Sequence, residues 1–501
     1  MSARHALPPL LLAGVTLLAL PAAYGADSHP ELRVFVDATS QDERKAEAAL
    51  AALAESWRDG YACVLLDLAR FMQPRQEARM EGGPGPSSGG GLASQGGPSL
   101  APPPPVHPTT KVRERLLRFL EEQTGQDYGE DLRAWRRWTW RLPYDPHPDY
   151  AAFKAALYAN VDRQMARFFP AGGEAHIRLD EIDWGGVPIN GIPPLDHPKH
   201  IPADRADYLA DKHVVFGLEV GGEARAYPKR ILAWHEMARD QLGGTELTIV
   251  YCTLCGTVIP YGAEAGGGHY TLGTSGLLYR SNKLMFDHET MSLWSTIEGR
   301  PVVGPLAERY DELELEAYPV VTTTWREWKA LHPDTTVLSL DTGYDRDYSE
   351  GAAYRSYFRT DKLMFDVPKL DKRLKNKEEV LALRLRPTGT GDESPLQALA
   401  LSAKFLKKKE NRVLHRSLAG HELVIVTSPD GANRVYESGE TRFVKQEKDG
   451  RLRDASGGAW RLTETALEPE ADGASPRPRV PAKRVFWFAW QAMFPDTELV
   501  K

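Results

Sequence analysis

Cysteine is scarce in this chain: there are three cysteines in 501 residues. A small exported scaffold held together by disulfides needs a denser set, so that class is excluded. Cys63 lies in an apolar helical run at residues 60–66, which predicts a buried free thiol. The other two, Cys252 and Cys255, share one short segment, and any cysteine chemistry must arise there.

An excess of positive charge is also lacking, since the net charge is -7 with both signs mixed along the chain. Nucleic acid is therefore not expected as a partner. The basic cluster at residues 404–409 is short and lies among apolar residues, which is typical of a solvated helix face. The chain has no phosphate loop, dinucleotide fingerprint or zinc-protease helix, so no nucleotide cofactor is expected.

Long apolar runs are missing except at the N-terminus, where Leu7 to Leu20 forms one stretch. That stretch is shorter than the roughly 20 residues of a membrane span. Arg4 precedes it and small residues follow at 22–26, which is the pattern of a secretory signal peptide at 1–26. We expect an exported protein, periplasmic or extracellular, with no membrane span in the mature chain.

The remaining sequence predicts an α+β protein. Residues 27–172 have helical spacing, interrupted at 82–109 by a Gly-, Ser- and Pro-rich insertion expected to be disordered. Short β-rich runs between turn signals then predict a first, mainly antiparallel lobe at 173–345. A connecting segment at 346–378 is expected to lie across the first lobe. It leads to a second lobe at 379–501, which we expect to be a degenerate copy of the first.

Matching strand and turn segments predict this internal duplication. Leu247-Thr248-Ile249-Val250 precedes the cysteine turn, and Leu423-Val424-Ile425-Val426 precedes a Ser-Pro-Asp-Gly turn. In this alignment Cys252 faces Ser428 and Cys255 faces Gly431. An ordinary polar turn therefore serves in the second copy, and the paired thiols of the first are interpreted as an addition for chemistry.

The ends of the two copies also match. Trp325 and Trp328 precede Pro333-Asp334-Thr335, and Trp487 and Trp490 precede Pro495-Asp496-Thr497 with the same spacing. Apolar periodicity predicts one helix at 325–331 and another, early in the first lobe, at 229–240.

A metal site is one interpretation of the Cys-x-x-Cys-Gly turn. Zinc needs two ligands beyond two thiolates, and the chain has no second cysteine pair. His235, just before the cysteine hairpin, and Met285, on an expected neighbouring strand, are the candidates. Two thiols, an imidazole and a thioether suit copper(I) better than a hard ion. The expected metal is therefore copper or zinc, held by Cys252, Cys255, His235 and Met285.

Redox chemistry is the second interpretation, with Cys252 and Cys255 as catalytic residues of a thiol-dependent oxidoreductase. A thioredoxin-type mechanism is disfavoured because the residues after Cys255 have the pattern of a strand. In either case we expect the cysteines at the mouth of a pocket, with His235 or Met285 nearby.

The third interpretation is a static disulfide in a non-enzymatic binding module. Such a module would use exposed tryptophans to bind a periplasmic protein, a glycan or another small molecule, and the sequence does not identify that partner.

Several motifs together resemble a bacterial exported-protein family known only as a domain of unknown function. They are Tyr251-Cys252-x-Leu254-Cys255-Gly256, Arg225-Ala226-Tyr227-Pro228, Trp234-His235-Glu236, Gly276-Leu277-Leu278-Tyr279, Ser292-Leu293-Trp294 and His332-Pro333-Asp334-Thr335. The resemblance covers roughly residues 180–500. It implies kinship of fold and export, but no activity and no catalytic residue.

Overall fold

The computed structural model describes residues 29–72 and 108–501, except 390, 392, 393 and 448. They form two compact units. Unit 1 contains the described residues up to 174 together with 178–180, and unit 2 contains 175–177 and 181–501. The signal peptide expected at 1–26 lies outside the described residues, as does the expected insertion at 82–109 except for its last two residues, which begin a helix.

Unit 1 is helical, as the sequence predicts. Its helices are α1 (Leu32–Asp37), α2 (Glu43–Glu55), α3 (Ala62–Phe71), α4 (Pro108–Thr124), α5 (Leu132–Thr139) and α6 (Tyr150–Tyr158), with 3₁₀ turns at Asp59–Tyr61 and Arg163–Phe168. Cys63 is a buried free thiol, as expected. Next to it in the core, Lys154 Nζ lies 2.8 Å from the buried Asp67 carboxylate.

Unit 2 combines β-sheets with short helices, so the α+β class is confirmed. We call β1 to β16 its first half and β17 to β28 its second half. The strands of the first half are β1 (Ile182–Trp184), β2 (Leu195–Asp196), β3 (His200–Pro202), β4 (Val214–Val220), β5 (Glu223–Pro228), β6 (Met237–Leu242), β7 (Thr245–Cys252), β8 (Thr257–Gly262), β9 (Glu264–Ala265), β10 (Gly268–His269), β11 (Leu272–Tyr279), β12 (Asn282–Asp287), β13 (Leu293–Ser295), β14 (Pro301–Val303), β15 (Val321–Thr324) and β16 (Thr336–Leu338).

Among the described residues, the second half contains twelve strands. These strands are β17 (Glu379–Leu385), β18 (Gln397–Ser402), β19 (Val413–Leu418), β20 (His421–Thr427), β21 (Asn433–Glu437), β22 (Phe443–Gln446), β23 (Leu452–Asp454), β24 (Ala459–Leu462), β25 (Ala466–Pro469), β26 (Arg477–Val480), β27 (Lys483–Phe486) and β28 (Glu498–Val500). The helices of unit 2 are α7 (Lys229–His235), α8 (Trp325–Leu331), α9 (Arg355–Phe358), α10 (Ala403–Lys407) and α11 (Trp487–Met493), with 3₁₀ turns at Ala203–Arg205, Ala307–Arg309 and Lys409–Asn411.

Two sheets of unit 2 share the order of four strands, and the first sheet has β3 as a fifth strand beside β16. In the first half, β15 pairs antiparallel with β4, β4 antiparallel with β5, and β5 parallel with β16. In the second half, β27 pairs antiparallel with β17, β17 antiparallel with β18, and β18 parallel with β28. Each half also has an antiparallel meander, β6-β7-β8 and β19-β20-β21.

Hydrogen bonds repeat between the halves as well. The Tyr251 amide donates to the Glu236 carbonyl at 2.9 Å, and the Thr427 amide donates to the Arg412 carbonyl at 2.8 Å. These bonds place Glu236 and Arg412 at equivalent positions, immediately before β6 and β19.

The helix predicted at 325–331 is confirmed as α8, and α11 is its counterpart. The indole of Trp328 donates to the Thr335 hydroxyl at 2.9 Å, and that of Trp490 donates to the Thr497 hydroxyl at 3.0 Å. The shared spacing of tryptophan and threonine therefore encodes one helix–turn–strand unit, used twice.

The helix predicted at 229–240 is too long. Helix α7 ends at His235 because Glu236 adopts a left-handed conformation, with φ of 55°. Strand β6 then begins at Met237. In the sequence, Met237 has the spacing of an apolar residue on the same helix face, and for this reason the predicted helix extends beyond His235.

None of the twelve tryptophans is exposed, and all of them lie in described residues. Nine of them are buried, and Trp57, Trp184 and Trp234 are half-buried, so no fully exposed tryptophan is present for the expected binding module. Among the described residues, no helix combines the length and apolar character needed to cross a bilayer.

Candidate functional site

The Cys-x-x-Cys turn connects β7 to β8 in the first half of unit 2. Cys252 and Cys255 form a disulfide, with their Cα atoms 5.3 Å apart. Cys252 is 2 % exposed and Cys255 is fully buried. The cysteines therefore lie inside the unit rather than at the mouth of a pocket, because other parts of unit 2 cover the turn.

Residues from far along the chain form this cover. The Phe486 amide donates to the Cys255 carbonyl at 2.8 Å, and the Tyr357 hydroxyl donates to the Leu254 carbonyl at 2.8 Å. Gly256 has φ of 65°, and a Cβ atom there would lie 2.8 Å from the Phe486 ring. Glycine is needed at 256 both for the left-handed backbone and for this close approach.

The corresponding turn of the second half has no sulfur. The Ser428 amide donates to the Ala432 carbonyl at 2.9 Å, and the Ala432 amide donates to the Ser428 hydroxyl at 3.0 Å. These two bonds close the turn between β20 and β21. The hairpin shape therefore does not require a disulfide.

Each turn packs against the strand–helix junction of the other half. The cysteine turn contacts Phe486, the last residue of β27 before α11. The serine turn contacts the junction of β15 and α8, where Asp430 accepts from the Thr324 hydroxyl at 2.8 Å and Ser428 donates to Glu327 at 2.6 Å. Because each turn packs against the other half, residues of both halves surround the disulfide.

His235 is buried at the end of α7, and both ring nitrogens are hydrogen-bonded. Nδ1 lies 2.9 Å from the Pro193 carbonyl, which can only accept, so Nδ1 carries the proton. Nε2 then accepts from the Tyr348 hydroxyl at 2.5 Å. Burial lowers the pKa of His235 to about 4, which keeps the imidazole neutral at pH 7.

This low pKa predicts an acid-sensitive contribution to stability. The pKa in the unfolded chain is about 6.5, so below that pH the unfolded state binds a proton that the folded state does not. The contribution is fully present above pH 6.5 and is lost as the pH falls towards 4. Between pH 7 and 4.5, the wild type should lose about 2–3 kcal/mol more unfolding free energy than His235→Gln. Urea unfolding at both pH values measures this difference, and equal losses in the two proteins would contradict it.

Met285, the other expected metal ligand, packs in the apolar core. It pairs with Trp294 across the β12–β13 ladder and belongs to the same buried cluster as Val250 and Ile259. The cysteines belong to a different cluster, with Phe486 and Trp487. Within the part of the chain that the structure describes, no three His, Cys, Asp or Glu side chains form a group that could hold a metal ion.

A buried ion pair lies beside the cysteine hairpin. Lys283 Nζ is 2.7 Å from the Glu236 carboxylate, and both side chains are less than 8 % exposed. The hydroxyl of Tyr354, from the segment between the halves, donates to the same carboxylate at 3.1 Å. Burial lowers the pKa of Lys283, while Glu236 opposes that change. Such a pair is expensive to desolvate and is weak support for stability, which makes it a functional candidate.

Unpartnered buried hydroxyls add to the polar character of this region. Tyr251, Thr253, Thr257 and Ser281 are almost fully buried, and their hydroxyl oxygens have no hydrogen-bond partner among the described residues. Thr253 follows Cys252, Thr257 pairs with Cys252 across the ladder, and the Ser281 carbonyl lies 3.7 Å from Cys255 Sγ. Buried hydroxyls without partners are rare in proteins and mark a region for functional interpretation.

The sequence arguments missed Glu236, Lys283 and Tyr354 as site residues. Glu236 and Lys283 are 47 residues apart, and Tyr354 lies in the segment that was expected to connect the lobes and to lie across the first one, without any site residue being named in it. The available signal was local: Glu236 adjoins His235, and Lys283 lies two residues before Met285, both of which were proposed as ligands.

Comparison with known proteins identifies the family of this chain. A family model described as a protein of unknown function (DUF3179) matches residues 189–497. This is more than half of the chain, which therefore belongs to that family, and the expected kinship with a family of unknown function is confirmed. No curated protein and no solved structure matches the chain.

Proposed function

We propose that Cys252 and Cys255 are a redox-active pair, and that the protein is a thiol–disulfide oxidoreductase acting through the first half of unit 2. The observation that carries this proposal is the comparison of the two turns. The Ser428 turn keeps its shape with two hydrogen bonds, so turn geometry alone does not account for the disulfide.

The proposed reaction moves two electrons from two substrate thiols to the protein. A substrate thiolate attacks one cysteine sulfur, the Cys252–Cys255 bond breaks, and the other cysteine leaves as a thiolate. The second substrate thiolate then attacks the substrate sulfur of the mixed disulfide and releases the first cysteine. The products are a substrate disulfide and two protein thiols, each protonated by a proton from the substrate thiols.

Nearby polar groups support this chemistry. The hydroxyls of Thr253 and Thr257 are available donors for a cysteine thiolate, which buried apolar surroundings would otherwise disfavour. The Glu236–Lys283 pair adds a buried acid and base beside the same hairpin. We assign to this ion pair the role of keeping the local charge around the two cysteines balanced while their thiols gain and lose protons.

The second half is proposed to be a degenerate copy that arose by internal duplication. The shared strand order and the repeated hydrogen bonds of Trp328 and Trp490 support duplication. The positions of Glu236 and Cys252 are occupied in the second half by Arg412 and Ser428. At these equivalent positions the second half thus lacks both the sulfur and the carboxylate, so the proposed redox pair belongs to the first half alone.

Export to an oxidising compartment is part of the proposal. A disulfide is maintained in the periplasm or outside the cell, whereas the cytosol keeps most thiols reduced. The signal-like pattern of residues 1–26 supports export.

Replacing both cysteines by serine tests whether the pair is there for chemistry. Because the disulfide closes a very short loop, Cys252→Ser/Cys255→Ser should cost at most about 2 kcal/mol of unfolding free energy. Reactivity with thiol reagents after mild reduction should disappear, whereas Cys63→Ser should leave it unchanged. Urea unfolding and mass spectrometry after alkylation measure the two properties. A double serine variant that does not fold would make the disulfide structural and would support the static binding module.

Copper or zinc binding by the same thiols stays a prediction. A disulfide offers no thiolate to a metal, so the reduced protein is the form to test. Both nitrogens of His235 are hydrogen-bonded, so His235 would have to give up one of these bonds to bind a metal. Metal analysis of protein purified under reducing conditions makes the distinction. One equivalent of metal that is absent from Cys252→Ser/Cys255→Ser would favour a metal site over the redox pair.

A further inference from the structure

A charged cleft lies directly outside the cover of the cysteine turn. Its volume is about 480 Å³, within the range of about 300–1,000 Å³ that is typical of small-molecule sites. The rings of Phe358 and Phe486 supply its apolar wall. Phe486 is also the residue whose ring packs against Gly256 and whose amide binds the Cys255 carbonyl. One side chain thus separates the cleft from the disulfide turn.

The acidic side chains of the cleft are all engaged. Asp361 accepts from the amides of Asn376 and Lys377. Glu378 binds Lys404 at 2.6 Å, and Glu379 binds Arg484 at 2.7 Å. These carboxylates are therefore occupied within the protein and leave little negative charge for a ligand to meet.

Two cationic side chains of the cleft remain available. Lys377 is not one of them, since its ammonium group donates to the carbonyls of Tyr357 and Thr360. Lys375 and Lys407 are exposed, and among the described residues their ammonium groups have no ion pair within 4 Å and no side-chain hydrogen bond. Lys407 does interact electrostatically with Asp430, whose carboxylate Arg326 already binds. The cleft has five cationic and three anionic side chains, which gives it a net charge of +2.

We infer that this cleft binds the substrate of the proposed redox reaction, and that the substrate is a small anionic thiol. Its acidic group would bind Lys375 and Lys407, its apolar part would pack on Phe358 and Phe486, and displacement of Phe486 would give its sulfur access to the disulfide. This inference rests on the proposed redox function. The overall change is balanced: two thiols and the protein disulfide give one substrate disulfide and two protein thiols.

Three thiols of similar size test the substrate class. They are 2-sulfanylethanesulfonate, which is anionic, 2-sulfanylethanol, which is neutral, and 2-sulfanylethylamine, which is cationic. Reduction of Cys252–Cys255 in the folded protein is followed by alkylation and mass spectrometry, with rates expressed per thiolate. At low ionic strength the anionic thiol should react about tenfold faster than the neutral one, because two nearby positive charges attract it. Added salt should reduce this ratio, and the cationic thiol should be slowest.

Matched charge variants identify the lysines responsible. Lys375→Gln/Lys407→Gln should lower the ratio of anionic to neutral rates to near one. Lys408→Gln/Lys409→Gln removes the same charge from exposed residues beside α10 that do not line the cleft, and it should keep the wild-type ratio. An unchanged ratio in Lys375→Gln/Lys407→Gln would overturn the assignment of the cleft while leaving the redox function intact.

A ligand without a thiol separates binding from redox chemistry. Naphthalene-2-sulfonate has the acidic group and an aromatic part, and its affinity should fall at least about fivefold in Lys375→Gln/Lys407→Gln relative to the control. Equal affinity in both proteins would overturn the cleft. If the sulfonate binds as expected but none of the three thiols reduces the folded protein, then the proposed redox function fails and so does the assignment of a thiol substrate.

Discussion

Lys283→Met should destabilise unit 2 by about 3–5 kcal/mol, because it leaves the Glu236 carboxylate buried without its cationic partner. Only the hydroxyl of Tyr354 and neighbouring backbone would remain near that charge. The double variant Lys283→Met/Glu236→Gln removes both charges and should recover most of the loss. Urea unfolding followed by tryptophan fluorescence measures all three proteins.

An exposed ion pair provides the control for this experiment. Lys199 Nζ lies 2.5 Å from Asp341, but the two side chains are 70 % and 62 % exposed. Lys199→Met should therefore change the unfolding free energy by less than about 1 kcal/mol. A Lys283→Met variant as stable as Lys199→Met would show that Glu236 is not held as a buried charge.

Glu464→Gln should have an effect at least as large, because two buried arginines share the Glu464 carboxylate. Its carboxylate lies 2.5 Å from Arg434 and 2.6 Å from Arg479, and all three side chains are less than 5 % exposed. The two guanidinium groups hold the pKa of Glu464 well below its usual range, against the opposing effect of burial. Removing the charge leaves Arg479 without this buried partner and leaves Arg434 with Glu327 alone, and it should cost about 4 kcal/mol or more.

The ion pairs of Glu464 also belong to a network that connects the two halves of unit 2. Arg434 binds Glu327 of α8 at 3.4 Å, and Glu327 accepts from Ser428 of the second turn. Glu468→Gln is the matched control, since its partner Arg461 is largely exposed. It should cost less than about 1 kcal/mol. If Glu464→Gln and Glu468→Gln have equal stability, then this network does not hold the halves together.

Local spacing explains which parts of the fold could be predicted from the sequence. Trp325, Trp328 and Thr335 lie within 11 residues of each other. The same spacing recurs at Trp487, Trp490 and Thr497, and it therefore predicts the same helix–turn–strand unit there. The free buried Cys63 was predictable for the same reason, since its surroundings form one apolar helix.

Contacts between distant residues explain what could not be predicted. The end of α7 depends on the left-handed backbone of Glu236, whose carboxylate is held by Lys283 and by Tyr354, 118 residues away. The expected ligand set also failed to assemble. The side chain of Met285, on β12, packs in a buried apolar cluster. Both ring nitrogens of His235 are hydrogen-bonded, one to the Pro193 carbonyl and the other to the Tyr348 hydroxyl. Sequence proximity to the cysteines gave no information about these partners.

The burial of the disulfide could not be predicted either, because its cover comes from Tyr357 and Phe486. The segment containing Tyr357 was expected to join the lobes and to lie across the first one, but not to contact the cysteine turn, and Phe486 belongs to the other half. A pattern within the hairpin could suggest cysteine chemistry but could not show which residues close over it.

A redox titration of the Cys252–Cys255 pair tests the central claim most directly. The folded protein is equilibrated in thiol–disulfide buffers of defined potential, alkylated and weighed by mass spectrometry, while circular dichroism reports the fold. A redox-active pair should titrate reversibly, as a two-electron couple, between about -120 and -270 mV, the range of known thiol–disulfide oxidoreductases. A disulfide that stays oxidised below about -300 mV, and is reduced only when the protein unfolds, would contradict the proposed function.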